Sequence, residues 1–282
     1  MRARQPDPRG YAVNEGVRLF YEVHGSGPLS ILLVPPWAVT TAAFWKMQLP
    51  FLARHFTTIA YDPRGNGRSD RPVEGYAIDD VASDALAVLD ELAIERCALL
   101  TVSGGMLPIS YLAARYPQRV AALAAVSGSP YFSGPRASLE EREARRRRIV
   151  EQFDDWVRGF WGRNFPEAHS TKAQDDGWEW THETTGAITL AAARELYTFD
   201  AREVFDRIRC PVLLIHGFRE DDLIESFVAH RGLPHSILVT IMTPGHLPNV
   251  RDPVKVNLIL RRFFDCVVSA GVVSARRPDA RA

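Results

Sequence analysis

Apolar and polar residues alternate over 11–13 and 17–23, with Asn14-Glu15-Gly16 between the two runs, which predicts a hairpin. Strand-length runs recur at 31–34, 57–61, 97–102, 120–126, 210–217 and 236–242. The run at 31–34 is wholly apolar, as in a strand buried on both faces of a parallel sheet. Between these runs the period changes to that of a helix. Segments 40–54, 79–92, 106–116, 223–230 and 252–264 carry the pattern, and in 79–92 it is Val81, Ala85, Leu86, Val88, Leu89 and Leu92 behind acidic residues that suit a helix N-terminus. Strands alternating with helices predict an α/β fold: a mostly parallel central sheet of about eight strands, flanked by helices.

The pattern breaks from 131 to 200. Strand-like runs vanish, a charge block 140–148 appears, and four of the six tryptophans (Trp156, Trp161, Trp178, Trp180) fall in this stretch. A helical cap insertion at 131–200 is expected, dividing the core into 1–130 and 201–268, with a flexible tail at 269–282. Arg145–Arg148 have Glu140, Glu141 and Glu143 within helical pairing distance, which reads as a solvated face. The aromatics, with Phe160, fit either the insertion's own core or the wall of a hydrophobic pocket.

Composition narrows the partners. The 282 residues are 46% hydrophobic and 24% charged, enough for a large core, and the formal net charge is zero, which gives no support for a nucleic-acid partner or for attraction to anionic membranes. Cys97, Cys210 and Cys266 are odd in number and far apart, against a disulfide framework or a Cys-rich metal site. No apolar stretch resembles a signal peptide or a membrane span. A cytoplasmic protein with a disordered start is expected, acting on a small molecule, with self-association left open.

Candidate chemistry gathers at strand ends. The strand 97–102 runs into Ser103-Gly104-Gly105 and then directly into a helix, leaving Ser103 at a sharp bend above the sheet. A serine there is either a nucleophile or a helix cap. The loop Asp62-Pro63-Arg64-Gly65-Asn66-Gly67-Arg68-Ser69-Asp70 lacks the third glycine of a dinucleotide fingerprint and the Gly-Lys-Ser/Thr of a P-loop, and reads as structural. Of eight histidines, His246 alone lies in a Gly-containing loop after the last strand; His216, His24, His55, His230 and His235 read as structural, and His169 and His182 lie in the insertion. With an acid among Glu220, Asp221 and Asp222, three strands end in Ser, acid and His, in that order. A serine becomes a nucleophile when a histidine takes its proton and a carboxylate fixes that histidine's tautomer.

From the early hairpin to the final helix the chain resembles the α/β-hydrolase fold superfamily, of the serine ester-hydrolase type with a helical cap. The resemblance rests on the 61–69 loop, the elbow at Ser103 with its helix to 114–120, Cys210-Pro211-Val212-Leu213-Leu214-Ile215-His216-Gly217, and Pro244-Gly245-His246. It implies Ser103 as nucleophile, His246 as base, an acid from the 220–222 loop, and no metal or cofactor. Counting from Gly217 lands on Glu220, whereas the apolar residues that usually follow the acid, here Leu223 and Ile224, select Asp221; Asp222 then suits a helix cap. Two departures stand out. Thr101 replaces the first glycine of Gly-x-Ser-x-Gly, so local adjustment is expected. Pro35-Pro36 replaces the usual His-Gly and has no N–H to donate, which leaves the amides of Trp37 and Gly104 as the implied oxyanion hole. Trp156, Phe160, Trp161, Trp178 and Trp180 are the substrate-facing candidates. The resemblance is also compatible with a non-hydrolytic cyclase, isomerase or ligand receptor, and with a carbon–carbon bond hydrolase.

Overall fold

The computed structural model describes residues 8–36, 40–131, 144, 147–195, 198–218 and 223–271. Strands β1 (Arg9–Asn14) and β2 (Val17–His24) form the expected hairpin. They are followed by β3 (Ser30–Leu33), β4 (Thr57–Tyr61), β5 (Cys97–Val102), β6 (Val120–Val126), β7 (Val212–Gly217) and β8 (Ser236–Ile241). The eight strands make one sheet in the order β1-β2-β4-β3-β5-β6-β7-β8. Pairings β1–β2 and β2–β4 are antiparallel and the rest parallel.

Every residue of β4, β5, β6 and β7 is buried, because helices cover both faces. The pleat divides the apolar side chains between two cores. Cys97 and Leu99 of β5 join one core with Ala82, Ala85, Val88 and Leu89 of α1 (Ile78–Glu91) and Leu107 and Leu112 of α2 (Met106–Arg115). Ala98, Leu100 and Val102 join the other. There they meet Val256, Leu260 and Phe264 of α7 (Pro253–Ser269), the last helix.

Between β6 and β7 the described residues form helices and no strand: α3 (Phe153–Asn164), α4 (Thr171–Thr181) and α5 (Gly186–Glu195). Most of the 140–148 charge block lies outside the described residues. Helix α6 (Leu223–Gly232) precedes β8. Two expected elements differ. The helix predicted over 40–54 is a 3-10 segment, Ala42–Met47, followed by a four-residue helix, Leu49–Leu52. Pro50 has no N–H to continue the first helix and instead stands at the start of the second. The last helix runs five residues past its expected end, because Val267 continues the buried stripe of Leu260 and Phe264.

The 62–70 loop is structural, as expected. Buried Asp62 accepts from the Ala42 and Arg68 amides at 2.8 and 3.0 Å, and burial pushes its carboxyl above the usual range. Arg64, also buried, donates from Nε and Nη2 to the Asp84 carboxylate at 2.6 Å each, bracing the loop against α1. Cys97 and Cys210 are buried free thiols, pushed up to about 12 and about 11, so neither is a thiolate at neutral pH. Among the described residues no helix is long and apolar enough to cross a membrane, and no group of three or more His, Cys, Asp or Glu could hold a metal ion.

Candidate active site

Strand β5 ends at Val102, Ser103 has φ of +53°, and a 3-10 turn over Ser103–Gly105 leads directly into α2. A non-glycine residue in the left-handed region is strained, and such strain concentrates at functional sites. The surroundings over-determine this bend. Gly104 and Gly105 are buried, Thr101 just before the bend is wholly buried, and the Ser129 amide donates to the Ser103 carbonyl at 3.2 Å. The adjustment expected at Thr101 takes a specific form: its hydroxyl donates to the Val34 carbonyl at 2.9 Å, linking β5 to the end of β3.

His246 arrives from the other end of the sheet. The loop after β8 folds over the end of β7, where a Cβ on Gly217 would stand 2.5 Å from the Thr243 carbonyl oxygen and 2.9 Å from that of Gly245. Glycine at 217 therefore permits the crossing. Beyond His246 the short helix Pro248–Arg251 is held by wholly buried Asn249 and Gln48: Gln48 Nε2 donates to the Asn249 carbonyl at 2.8 Å, and Asn249 Nδ2 to Gln48 Oε1 at 3.4 Å. With the loop fixed on both sides, His246 Nε2 lies 2.7 Å from Ser103 Oγ across 143 residues of sequence. When Nε2 carries no proton, the serine hydroxyl donates to it, which is the ground state for proton removal.

Other candidates have different places. Glu220, Asp221, Asp222 and Trp37 lie outside the described residues. His216 is buried on β7 against the Ser226 hydroxyl, as a structural histidine should be. His182 is held within the insertion, Nδ1 on the Trp178 carbonyl at 2.8 Å and Nε2 on Asp154 at 3.0 Å.

The five aromatic candidates lie in one group. Trp161 and Trp180 are buried against each other at 5.8 Å between ring centroids, Trp180 packs on Phe44 at 5.6 Å, and Trp161 Nε1 donates to Thr181 Oγ1 at 3.0 Å. These two rings join the insertion to the second core. Trp178 lies beneath the Arg158 guanidinium at 3.9 Å and packs at a tilt of 32° against the His182 ring. Trp156 and Phe160 are half-buried and stacked at 6.3 Å, with Phe160 edge-on to Trp161. Sequence reasoning passed over two residues beside the histidine loop, Arg251 and Glu167. They are 84 positions apart, pair at 2.8 Å, and leave no local pattern.

Residues 30–176, just over half the chain, match the family described as alpha/beta hydrolase fold. The chain belongs to that family. As an α/β hydrolase fold protein it is 26% identical over 260 residues to 3-oxoadipate enol-lactonase 2 of Acinetobacter baylyi, covering 88% of this chain and 95% of the relative. It is 25% identical over 263 residues to the karrikin insensitive 2 receptor IA of Petunia hybrida, again 88% and 95% of the two chains. Its structure superposes on the crystal structure of a hydrolase from Pseudomonas aeruginosa with a TM-score of 0.81 at 25% identity, covering 92% of this chain and 98% of the other. Enzymes and a receptor thus stand at similar distance within the same fold.

Proposed function

We propose that this protein is a serine hydrolase that cleaves a carboxylic ester, lactone or thioester of a hydrophobic small molecule through an acyl-enzyme on Ser103. The observation that carries the reading is the 2.7 Å contact between His246 Nε2 and Ser103 Oγ, with the serine on a strained left-handed bend. Neutral His246 takes the hydroxyl proton as Ser103 attacks the carbonyl carbon, and then gives it to the leaving group. Water repeats the sequence on the acyl-enzyme and frees the acid. Asp221 is assigned to hold the His246 tautomer, and the Trp37 and Gly104 amides to bind the tetrahedral oxyanion.

The helices at 153–195 serve as a cap. Trp161 and Trp180 hold its shape from within, while half-buried Trp156 and Phe160, with Trp178, supply the apolar wall that favours acyl or aryl groups. The enol-lactonase likeness supports hydrolysis of an ester-type bond.

A fluorophosphonate tests the reading, because it labels only a serine whose base is in place. Wild-type protein labels at Ser103, and Ser103→Ala abolishes both labelling and turnover of acyl esters and thioesters of graded chain length. In serine proteases loss of the nucleophile costs about 10⁶-fold in kcat. Unchanged turnover in purified Ser103→Ala protein overturns the mechanism. The likeness to the karrikin insensitive 2 receptor favours a second reading, a ligand receptor or other non-hydrolytic member of the fold. Poor labelling of the folded wild type selects it.

A further inference from the structure

Arg251 ends the short helix that follows His246, and its guanidinium turns back onto the histidine loop. A Cβ built on Gly245 would stand 3.0 Å from Arg251 Nε, so the guanidinium packs against the residue that immediately precedes His246. Nε is buried and, among the described residues, finds no acceptor. The group is held from its other edge, by the segment that joins α3 to α4. Nη1 donates to Glu167 Oε1 at 2.8 Å and Nη2 to Glu167 Oε2 at 3.1 Å; Nη2 also donates to the Asn164 carbonyl, and the guanidinium carbon lies 4.8 Å from the centre of the Phe165 ring. Ser170 Oγ donates to Glu167 Oε2 at 3.0 Å and fixes the carboxylate in turn.

The other described tethers of the inserted helices land elsewhere. Lys46 pairs with Asp176, Arg71 Nη2 and the Gly67 amide reach the Glu183 carbonyl, and Thr184 Oγ1 donates to the Gly65 carbonyl. Those anchor the insertion to the 42–47 and 62–71 segments, whereas the Arg251 fork anchors it to the loop that carries His246.

We propose that Arg251 is a positioning residue that couples the placement of the inserted helices to the placement of the His246 ring, with Glu167 as its anchor on the insertion. The inference rests on the reading of Ser103 and His246 as the reacting pair. A planar guanidinium with both Nη atoms bound to a fixed carboxylate has little freedom, so its inner edge forms a rigid wall behind Gly245. Removing the carboxylate charge frees that wall. The 2.7 Å alignment of Nε2 on Oγ then loosens, and a misplacement of about 1 Å at a reacting group costs on the order of 100-fold in rate.

The test uses the full chain as wild type, Glu167→Gln, and Lys46→Gln, which loosens the insertion at a different tether. Two quantities are read: the rate of fluorophosphonate labelling at Ser103, and the ¹H–¹³C resonance of His246 Cε1. Glu167→Gln is expected to slow labelling at least about tenfold and to move the His246 resonance; Lys46→Gln is expected to do neither. An unmoved resonance in folded Glu167→Gln overturns the coupling, whatever the labelling rate, and so does an equal shift in Lys46→Gln. If the wild type does not label but Glu167→Gln moves the resonance, the coupling stands and the acyl-transfer reading falls.

Discussion

The Thr101 hydroxyl occupies the space that a side chain on residue 105 would need: a Cβ built on Gly105 would stand 1.9 Å from Thr101 Oγ1. The two positions are complementary across the bend. Where the fold usually places a small residue at the first elbow position, this chain places a threonine whose hydroxyl bonds the Val34 carbonyl, and the bare Cα of Gly105 admits it.

Gly105→Ala is therefore expected to destabilise the protein by about 1–3 kcal/mol, the usual cost of overpacking a tight core, and to lower Ser103 labelling as the elbow shifts. Thr101→Ala removes the closer clash, leaving the Pro35 carbonyl oxygen at 2.9 Å and a 3.3 Å contact between the two Cβ positions. In the Thr101→Ala/Gly105→Ala double variant part of the Gly105→Ala penalty should disappear, while the part set by the Pro35 carbonyl remains. Urea unfolding of the four proteins gives the coupling energy, which should exceed about 1 kcal/mol. Additive effects would mean that the bend relaxes without contest.

The rate against pH tests His246 as the base. An imidazole must be neutral to accept the Ser103 proton, and an unperturbed histidine titrates near pH ~6.5. Acylation, measured as the pre-steady-state burst with an activated ester, is expected to rise with pH through an apparent pKa within about two units of that value. A burst rate flat from pH 4.5 to 8 counts against His246.

The strands and the Ser103–His246 pair were legible for local reasons. Strands covered on both faces must be apolar along their length, so a polar residue that ends one, such as Ser103, stands out, and His246 stood out by its place in the Gly-containing loop after β8. The helix expected over 40–54 was misread because Phe44 and Trp45 supply apolar positions that a 3-10 turn buries equally well, while Pro50 was the signal that the helix had to restart. The density of tryptophans in the insertion marked an apolar surface without saying what it faces. Trp161 and Trp180 are buried in packing, a fact set by Phe44 more than a hundred residues upstream. Arg251 and Glu167 were invisible because an ion pair across two separate elements leaves no periodic trace.

The acid is assigned by paired substitutions. Asp221→Asn is expected to cost several decades in turnover, since an amide there leaves His246 in the wrong tautomer; in a serine protease the same change costs about 10⁴-fold in kcat. Asp222→Asn should lower stability by no more than about 1 kcal/mol, as Asn is a competent helix cap before Leu223. If Asp222→Asn or Glu220→Gln carries the large loss and Asp221→Asn does not, the acid is reassigned and the Ser103–His246 pair is retained.

The Arg251–Glu167 fork also predicts how stability responds to acid. Hydrogen bonds from Arg251 hold the Glu167 carboxyl well below the usual range, at about 2, against 4.5 for the free side chain. A carboxyl depressed on folding contributes stability that is fully present above its unfolded value and is lost as pH falls through its folded value. The contribution should therefore be complete at pH 6, begin to fall below pH 4.5, and be nearly gone at pH 2. Lys172 and Lys46 likewise hold Asp176 below its usual range even though burial opposes it, so a second insertion tether weakens in the same direction. Glu167→Gln removes only the first contribution. Its thermal midpoint should lie about 2–4 °C below wild type at pH 6, the shift expected if a partly exposed pair contributes about 1 kcal/mol, and the two midpoints should converge toward pH 2.5. A difference that stays constant from pH 6 to pH 2.5 would mean that the pair holds geometry at Gly245 without adding to stability through its charge.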